Sequence, residues 1–192
     1  MSASETSICN AALTLLGERA INSLDDQTKV GRIMNEVYPD KREELLRNHS
    51  WNFATARASL AASLTPPVWG FDYSYPLPSD CLRILNVNDV EDIGWRIEGR
   101  EVVTNIAAPL EIEYTRDITD PTEMDVLFRQ VLSTLIARDT AETITGSVEK
   151  AEEMERLYRQ RLSPAKAVDG QEPSRRHIES SSFLDAREEG SW

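Results

Sequence analysis

A segment rich in both proline and aromatic residues, at residues 66–85, restricts the fold of this chain more than any other feature. It contains four prolines, two tyrosines, one tryptophan and one phenylalanine, and helical patterns lie on both sides of it. Proline fixes φ and lacks a backbone N–H, so the first half of the segment cannot be a helix or an interior strand. Because aromatic rings are costly to leave in water, we expect an extended connection that packs its rings on a core and enters a strand at residues 81–87.

Helical periodicity before and after this segment predicts about four helices. Residues 2–5 form a capping-box pattern ahead of the first helix, and Asp120 followed by Pro121 predicts the start of the third. Pro39 interrupts the second pattern, which therefore indicates either a kinked helix or two abutting helices. Ser147 predicts the start of the fourth helix. The predicted helices span residues 3–16, 26–49, 121–145 and 148–165.

The region between the second and third helices, about residues 51–115, has the alternating patterns of β-structure. Residues 95–98 and 101–104 flank Gly99, which is typical of a hairpin turn, and the alternating LEIEY predicts a strand at 110–114. Because the region is too short to bury two full sheets, we expect one small antiparallel sheet. The predicted class is therefore α+β, a mainly helical bundle with a small antiparallel β region inserted in the middle and an extended C-terminal tail.

The last segment, residues 169–192, differs in character from the rest of the chain. It is polar and mixed in charge, so alone it cannot bury enough apolar surface to offset its ordering entropy. It nevertheless contains four apolar side chains that a plain solvent-exposed tail does not require: Ile178, Phe183, Leu184 and Trp192. We interpret them as anchors of a flexible partner-docking arm, with plain disorder as the alternative. The predicted organisation is an ordered domain at 1–168 followed by this arm.

The formal net charge of −12 restricts the partners that the chain can have. A surface that binds nucleic acid through its phosphates needs clustered lysine and arginine. The excess of acidic residues argues against such a surface here. No run approaches the roughly 18 apolar residues that span a bilayer, and the N-terminus lacks the positive region of a signal peptide. We therefore expect no membrane contact and no sequence-specific binding of DNA.

The sequence contains no recognisable pattern for a cofactor or a metal. Cys9 and Cys81 lack CxxC or Cys/His spacing, so we interpret them as two buried thiols, with a disulfide or a metal site as the alternative. The two histidines lie at a predicted helix end (His49) and in the tail (His177). No serine occupies a G-x-S-x-G pattern and no glycine-rich phosphate loop is present. We predict that the protein uses no cofactor.

Catalysis by a pair of carboxylates is the remaining enzymatic possibility. The candidates are Asp80, Asp117, Asp120 and Glu43. Each of them also suits a simpler role as a cap or a solvated charge. We therefore predict that the chain is not an enzyme.

The order of motifs over about residues 5–165 is similar to that of a known family. The motifs are CNAALTLLGE, YPDKREELLRNHSWNFATAR, WGFDYSYPLPSDCLRILNV, WRIEGREVVTN and IEYTRDITDP, followed by the third helix, TGS and a tyrosine-bearing helix. In this order they resemble the tail tubular protein A family of tailed phages and prophages. Members of that family are the head-to-tail adaptor, or connector, that sits beneath the portal.

The resemblance implies a virion structural protein located in the tail or neck and made in the host cytoplasm. Such adaptors form a homo-oligomeric ring, typically of twelve subunits, that is coaxial with the portal protein, and DNA passes through the central channel. The β part would face the next tail component, a nozzle protein, and the C-terminal segment would clasp the portal.

Two other functions stay open at this point. Some adaptor-like phage proteins are assigned a cell-wall hydrolase activity, so one alternative is a tail-associated peptidoglycan hydrolase that uses a carboxylate pair. The other is a head-completion stopper, which would be mainly β where this chain should be mainly helical.

Overall fold

Four helices and six short strands make up the part of the chain that the structure, a computed structural model, describes: residues 3–88 and 94–172. The helices are α1 (Glu5–Leu16), α2 (Lys29–Asn48), α3 (Val126–Thr145) and α4 (Val148–Asp169). The strands are β1 (Thr55–Leu60), β2 (Tyr73–Pro76), β3 (Cys81–Val87), β4 (Trp95–Glu98), β5 (Glu101–Thr104) and β6 (Leu110–Arg116). The predicted α+β class is confirmed, with the β region inserted between α2 and α3.

The first two helices begin later than the sequence pattern predicts. In α1 the N-cap is Ser4, and its side chain and that of Ser7 each accept from the other's backbone N–H, so the capping box lies two residues beyond the predicted one. In α2 the N-cap is Thr28, whose hydroxyl oxygen accepts from the Gly31 N–H at 3.0 Å. A start near residue 26 is therefore wrong.

Helix α2 runs without interruption through Pro39, so two abutting helices are excluded as its description. A proline inside a helix removes one backbone hydrogen bond and costs about 3 kcal/mol. Buried side chains on both sides of it, Tyr38 before and Leu45 and Leu46 after, pack in the same core. Burial of this continuous face outweighs the lost bond.

The start predicted for α3 is also wrong. Asp120 accepts from the backbone N–H of Thr122 at 2.8 Å within a turn, and the helix begins five residues later, after Asp125. The Asp125 carboxylate accepts from the Leu127 N–H at 2.7 Å, which makes it the N-cap. Both aspartates offer the same local chemistry, so the choice between them depends on tertiary packing.

Helix α4 begins after Ser147 as predicted and extends beyond its predicted end at residue 165. It contains Pro164 and continues to Asp169, so the first residue assigned to the arm belongs to the helix. The prediction of a flexible segment over 173–192 lies outside the described residues.

The β region forms two three-stranded antiparallel sheets, and the expectation of a single sheet is wrong. Sheet 1 has the order β1-β6-β3, and sheet 2 has the order β2-β5-β4. The second sheet exists because the proline-aromatic segment supplies β2, which pairs with β5 in the register Tyr75↔Val102. Pro76, which has no N–H to donate, ends this edge strand. The predicted hairpin between β4 and β5 is confirmed, with Gly99 at a φ of 60°.

Two hydrophobic cores correspond to the two parts of the fold. The helical core includes Trp51 and Phe128, whose ring centroids lie 5.2 Å apart in an edge-to-face arrangement. The β core lies between the two sheets and includes the fully buried Tyr75, Val102 and Leu110. Tyr75 also donates its hydroxyl proton to the Ile106 carbonyl at 2.6 Å.

The C-terminal end of α2 joins the helical part to the β region. His49, the residue after α2, is extended, so no left-handed residue caps the last carbonyls of the helix. Side chains from three other segments donate to these carbonyls instead: Trp51 Nε1 to Leu45 at 2.9 Å, Arg83 Nη1 to Arg47 at 3.1 Å and Lys166 Nζ to Asn48 at 3.3 Å. We call these six residues the α2-end junction. It connects α2 to β3 and to α4.

Candidate interaction surfaces

The loop between β1 and β2, residues 61–72, exposes large apolar side chains. Leu64 is 102% exposed, Val68 99% and Trp69 85%. The expectation that the rings of this segment pack on a core is therefore correct for Tyr75 and wrong for Trp69. We call residues 61–72 the tip loop.

Hydrogen bonds hold both ends of the tip loop in place. The Ser63 N–H donates to the Ser74 carbonyl at 2.7 Å, and the Ser74 hydroxyl donates to the Thr65 carbonyl at 3.3 Å. At the other end, the Asp72 N–H donates to the Asn105 side-chain oxygen at 3.0 Å. Two consecutive prolines, at 66 and 67, further limit its backbone freedom. A loop restrained in this way loses little entropy when it binds a partner.

A groove lies between the tip loop and the outer face of sheet 2. Its lining includes Trp69 and Phe71 on the loop side and Val103 on the sheet side. Two carboxylates, Glu98 and Glu101, lie at the hairpin end of the same face and oppose each other directly across β4 and β5. Like charges directly opposite on a sheet destabilise it. Within residues 3–88 and 94–172, neither carboxylate has an ion-pair partner.

The end of α4, where the predicted arm begins, is fixed to the connection between α2 and β1. The Asp169 side chain is 9% exposed, and one carboxylate oxygen accepts from the Asn52 N–H at 3.0 Å. The other oxygen lies 3.0 Å from His49 Nε2, and the Asn52 side-chain amide donates to the Asp169 carbonyl. These hydrogen bonds fix the position from which the predicted arm starts. The predicted anchor residues, Ile178, Phe183, Leu184 and Trp192, lie outside the described residues.

An ionic cluster connects α2, α3 and α4. Asp139 on α3 contacts both Lys41 Nζ and Arg138 Nε at 2.5 Å, and Arg138 lies over the Tyr158 ring at 4.9 Å from its centroid. Burial raises the pKa of Asp139, but hydrogen bonds from Arg138 and Lys41 outweigh it and the net pKa is lowered. The ionised carboxylate therefore stabilises the fold.

Replacing Asp139 with asparagine should lower the free energy of unfolding by about 1 kcal/mol at pH 7, a value limited by solvent screening. Because folding lowers the pKa of Asp139, its contribution is present above the unfolded aspartate pKa of about 3.9 and is lost as the pH falls toward the folded value. Urea unfolding of both proteins between pH 7 and pH 3 measures this difference. It should shrink on acidification, whereas Glu142→Gln at an exposed site of α3 should have little effect at any pH. If the loss of free energy of unfolding in Asp139→Asn is the same at every pH in this range, the ionised Asp139 carboxylate does not stabilise the fold.

The candidate catalytic carboxylates all make structural contacts. Asp117 pairs with Arg42 Nη2 at 2.9 and 3.1 Å, and Asp120 holds the turn that precedes α3. Asp80 accepts from the Tyr114 hydroxyl at 3.3 Å. Glu43 lies 3.8 Å from Arg47 on the same helix. Asp117 and Glu43 are therefore ion-pair partners, Asp120 caps a turn, and Asp80 accepts a hydrogen bond from a tyrosine.

The cysteines are free, and they lie in different cores. Cys9 is in the helical core and Cys81 in the β core, so the prediction of two buried thiols is confirmed. Burial raises the pKa of the Cys9 thiol to about 12, with a smaller contribution from Glu5. Across the described ranges, no three His, Cys, Asp or Glu residues are grouped so that they could hold a metal ion. No helix in those ranges has the length and apolar character needed to cross a bilayer.

The exposed tip loop is the feature that sequence reasoning missed. Aromatic residues suit both a core and a binding surface, and we assigned them to a core. One signal could have identified the surface: residues 61–71 contain no charged side chain in a chain that is 28% charged. A scan against protein-family models and a search of curated proteins gave no match to this chain.

Proposed function

We propose that this protein is a head-to-tail adaptor of a tailed phage and has a structural, not a catalytic, role in the virion. The observation that carries the proposal is the exposed apolar tip loop on a β region that is inserted into a helical body. Leu64, Val68 and Trp69 are costly to leave in water, so they suit a surface that another protein covers. The order of motifs along the chain supports the adaptor family in particular.

In this function the protein forms a ring, typically of twelve copies, below the portal protein. A ring closes through a heterologous contact in which two different faces of each subunit meet. The net charge of −12 suits a channel wall, because repulsion between like charges prevents DNA phosphates from sticking as the DNA slides past. The β region would face the next tail component, the nozzle protein. No cofactor is required.

The arm would attach the ring to the portal. It starts at a fixed position, because the side chain of Asp169 holds the end of α4 against Asn52 and His49. Residues 173–192 could extend at most about 3.5 Å per residue, or roughly 70 Å in total. This length and the four apolar side chains suit docking in separate pockets on a neighbouring molecule, with the ordering entropy lost only at that moment.

Electron microscopy of the full-length protein mixed with a portal ring of the same phage tests the proposal. We expect an additional ring beneath the portal, with the β region on the side away from it. A chain truncated after residue 172 should fail to join, and so should one with Ile178, Phe183, Leu184 and Trp192 all changed to serine. A matched variant with four arm serines, at 174, 180, 181 and 182, changed to alanine should still join. If the full-length protein never joins the ring, or if the truncated chain joins equally well, the proposal is wrong.

A further inference from the structure

We propose that the groove between the tip loop and sheet 2 binds a basic segment of a different protein, anchored by an apolar side chain. The inference goes beyond the adaptor proposal and does not depend on it, because it uses only the chemistry of the groove. It assigns a class of partner to a groove whose loop side, including Val68 and Trp69, stays largely exposed.

The apolar part of the groove would receive the apolar side chain that anchors the partner. The register of sheet 2 places Ser74, Val103 and Arg96 in one row on its outer face, and the tip loop lies against this row. Val103 is almost fully buried there, whereas Trp69 on the loop is 85% exposed. An apolar side chain of the partner that packs on Trp69 would remove the largest exposed apolar surface of the loop from water.

The charged part of the groove selects the partner. The next row of the same face places Glu98 directly opposite Glu101, at the hairpin end of the groove. Their mutual repulsion is relieved when a lysine or arginine of the partner lies between them. The row behind them contains one cation, Arg96, so the groove keeps a negative balance.

The same charges disfavour the two other possible occupants. A second copy of this chain has 33 acidic against 21 basic residues, so most of its segments would be repelled by the two carboxylates of this groove, whereas contacts between copies at other faces are unaffected. An anionic membrane would be repelled in the same way, and insertion of the loop into any bilayer would place Arg96, Glu98 and Glu101 near the hydrocarbon. A basic protein segment satisfies both the apolar and the acidic parts of the groove.

Titration of the full-length protein with synthetic peptides tests this inference, with the Trp69 indole N–H signal in the NMR spectrum as the readout. The probes are the basic-apolar peptide KVKFKVK, its acidic counterpart EVEFEVE and the basic but polar KSKGKSK. The Trp69 signal is assigned by its loss in Trp69→Phe. We expect KVKFKVK to shift it, with an affinity about tenfold higher than that of either other peptide.

Two double variants separate the groove from a general charge effect. Glu98→Gln with Glu101→Gln should weaken KVKFKVK about fivefold and reduce its dependence on salt, and it should still fold because it removes a repulsion. Glu36→Gln with Glu142→Gln changes the net charge equally at exposed helix sites and should leave the affinity unchanged.

Three results would overturn the inference. One is equal binding of the basic and acidic peptides. Another is a Trp69 signal that moves with the concentration of the protein itself, which would indicate a second copy. The third is a signal that moves with phosphatidylcholine vesicles and not with KVKFKVK, which would indicate a membrane. Because no portal is involved, none of these results bears on the adaptor proposal.

Discussion

Replacing Trp51 with alanine is expected to lower the free energy of unfolding by about 4 kcal/mol. The Trp51 side chain is only 1% exposed, and its ring packs against Phe128 and Phe53 with centroid distances of 5.2 and 6.3 Å. Its indole N–H also donates to the Leu45 carbonyl in the α2-end junction. The substitution therefore leaves a large cavity in the helical core and a helix carbonyl without its donor.

Urea denaturation followed by circular dichroism measures this loss. Trp51→Phe keeps an aromatic ring but loses the hydrogen bond to Leu45, so it should cost only about 1–2 kcal/mol. The matched control is Trp69→Ala, which should change stability by less than about 0.5 kcal/mol because that ring is exposed. If the alanine variants at 51 and 69 have the same stability, Trp51 is not at the centre of this core.

Replacing Asp169 with alanine is expected to cost about 2–3 kcal/mol, the second largest effect of a single substitution. The carboxylate is almost fully buried, accepts from the Asn52 N–H at 3.0 Å and lies at 3.0 Å from His49 Nε2. Alanine leaves both of these groups without their charged partner, and water replaces it only in part because both hydrogen bonds lie in a partly buried place. It also releases the end of α4, from which the arm starts.

Hydrogen exchange and urea denaturation together measure this effect. The Asn52 amide should lose protection in Asp169→Ala. Amides in the middle of α3 should lose protection only as far as the global free energy of unfolding falls. Asp169→Asn retains one oxygen acceptor for the Asn52 N–H and should cost about half as much. Unchanged protection at Asn52 in the alanine variant would show that the carboxylate does not fix the end of the helix. In the proposed adaptor, the alanine variant should also join portal rings less efficiently.

The periodic patterns of the sequence predicted which segments are helices, but only α4 begins where its local signal predicted. The signals for a helix start are local and repeated: Asp120 and Asp125 each accept from a backbone N–H two residues later, yet only Asp125 precedes α3. Pro39 and Pro164 are local signals against a helix, and both nevertheless lie within helices. Packing of a long apolar face decides these positions, and a single sequence does not contain that information in a local form.

The β region shows the same limit at longer range. The hairpin around Gly99 is local, and it was predicted correctly. The pairing of β2 with β5 joins residues about 30 positions apart in sequence, so the second sheet could not be found from alternation alone. The aromatic residues of the proline-rich segment are used in both ways that aromatic residues allow: Tyr75 fills the β core, and Trp69 projects into solvent. The role of the arm residues at 178, 183, 184 and 192 stays a prediction.

In the proposed adaptor, the α2-end junction would have a mechanical consequence, because such a protein would transmit load between two neighbours. The last carbonyls of α2 accept hydrogen bonds from the connection to β1, from β3 and from α4. The helical part and the β region therefore cannot separate from each other without leaving some of these carbonyls unpaired. The two parts should therefore melt in one cooperative transition in spite of their separate cores. A pull on the β region would pass through Arg83 and Trp51 into α2, and through Lys166 to the root of the arm.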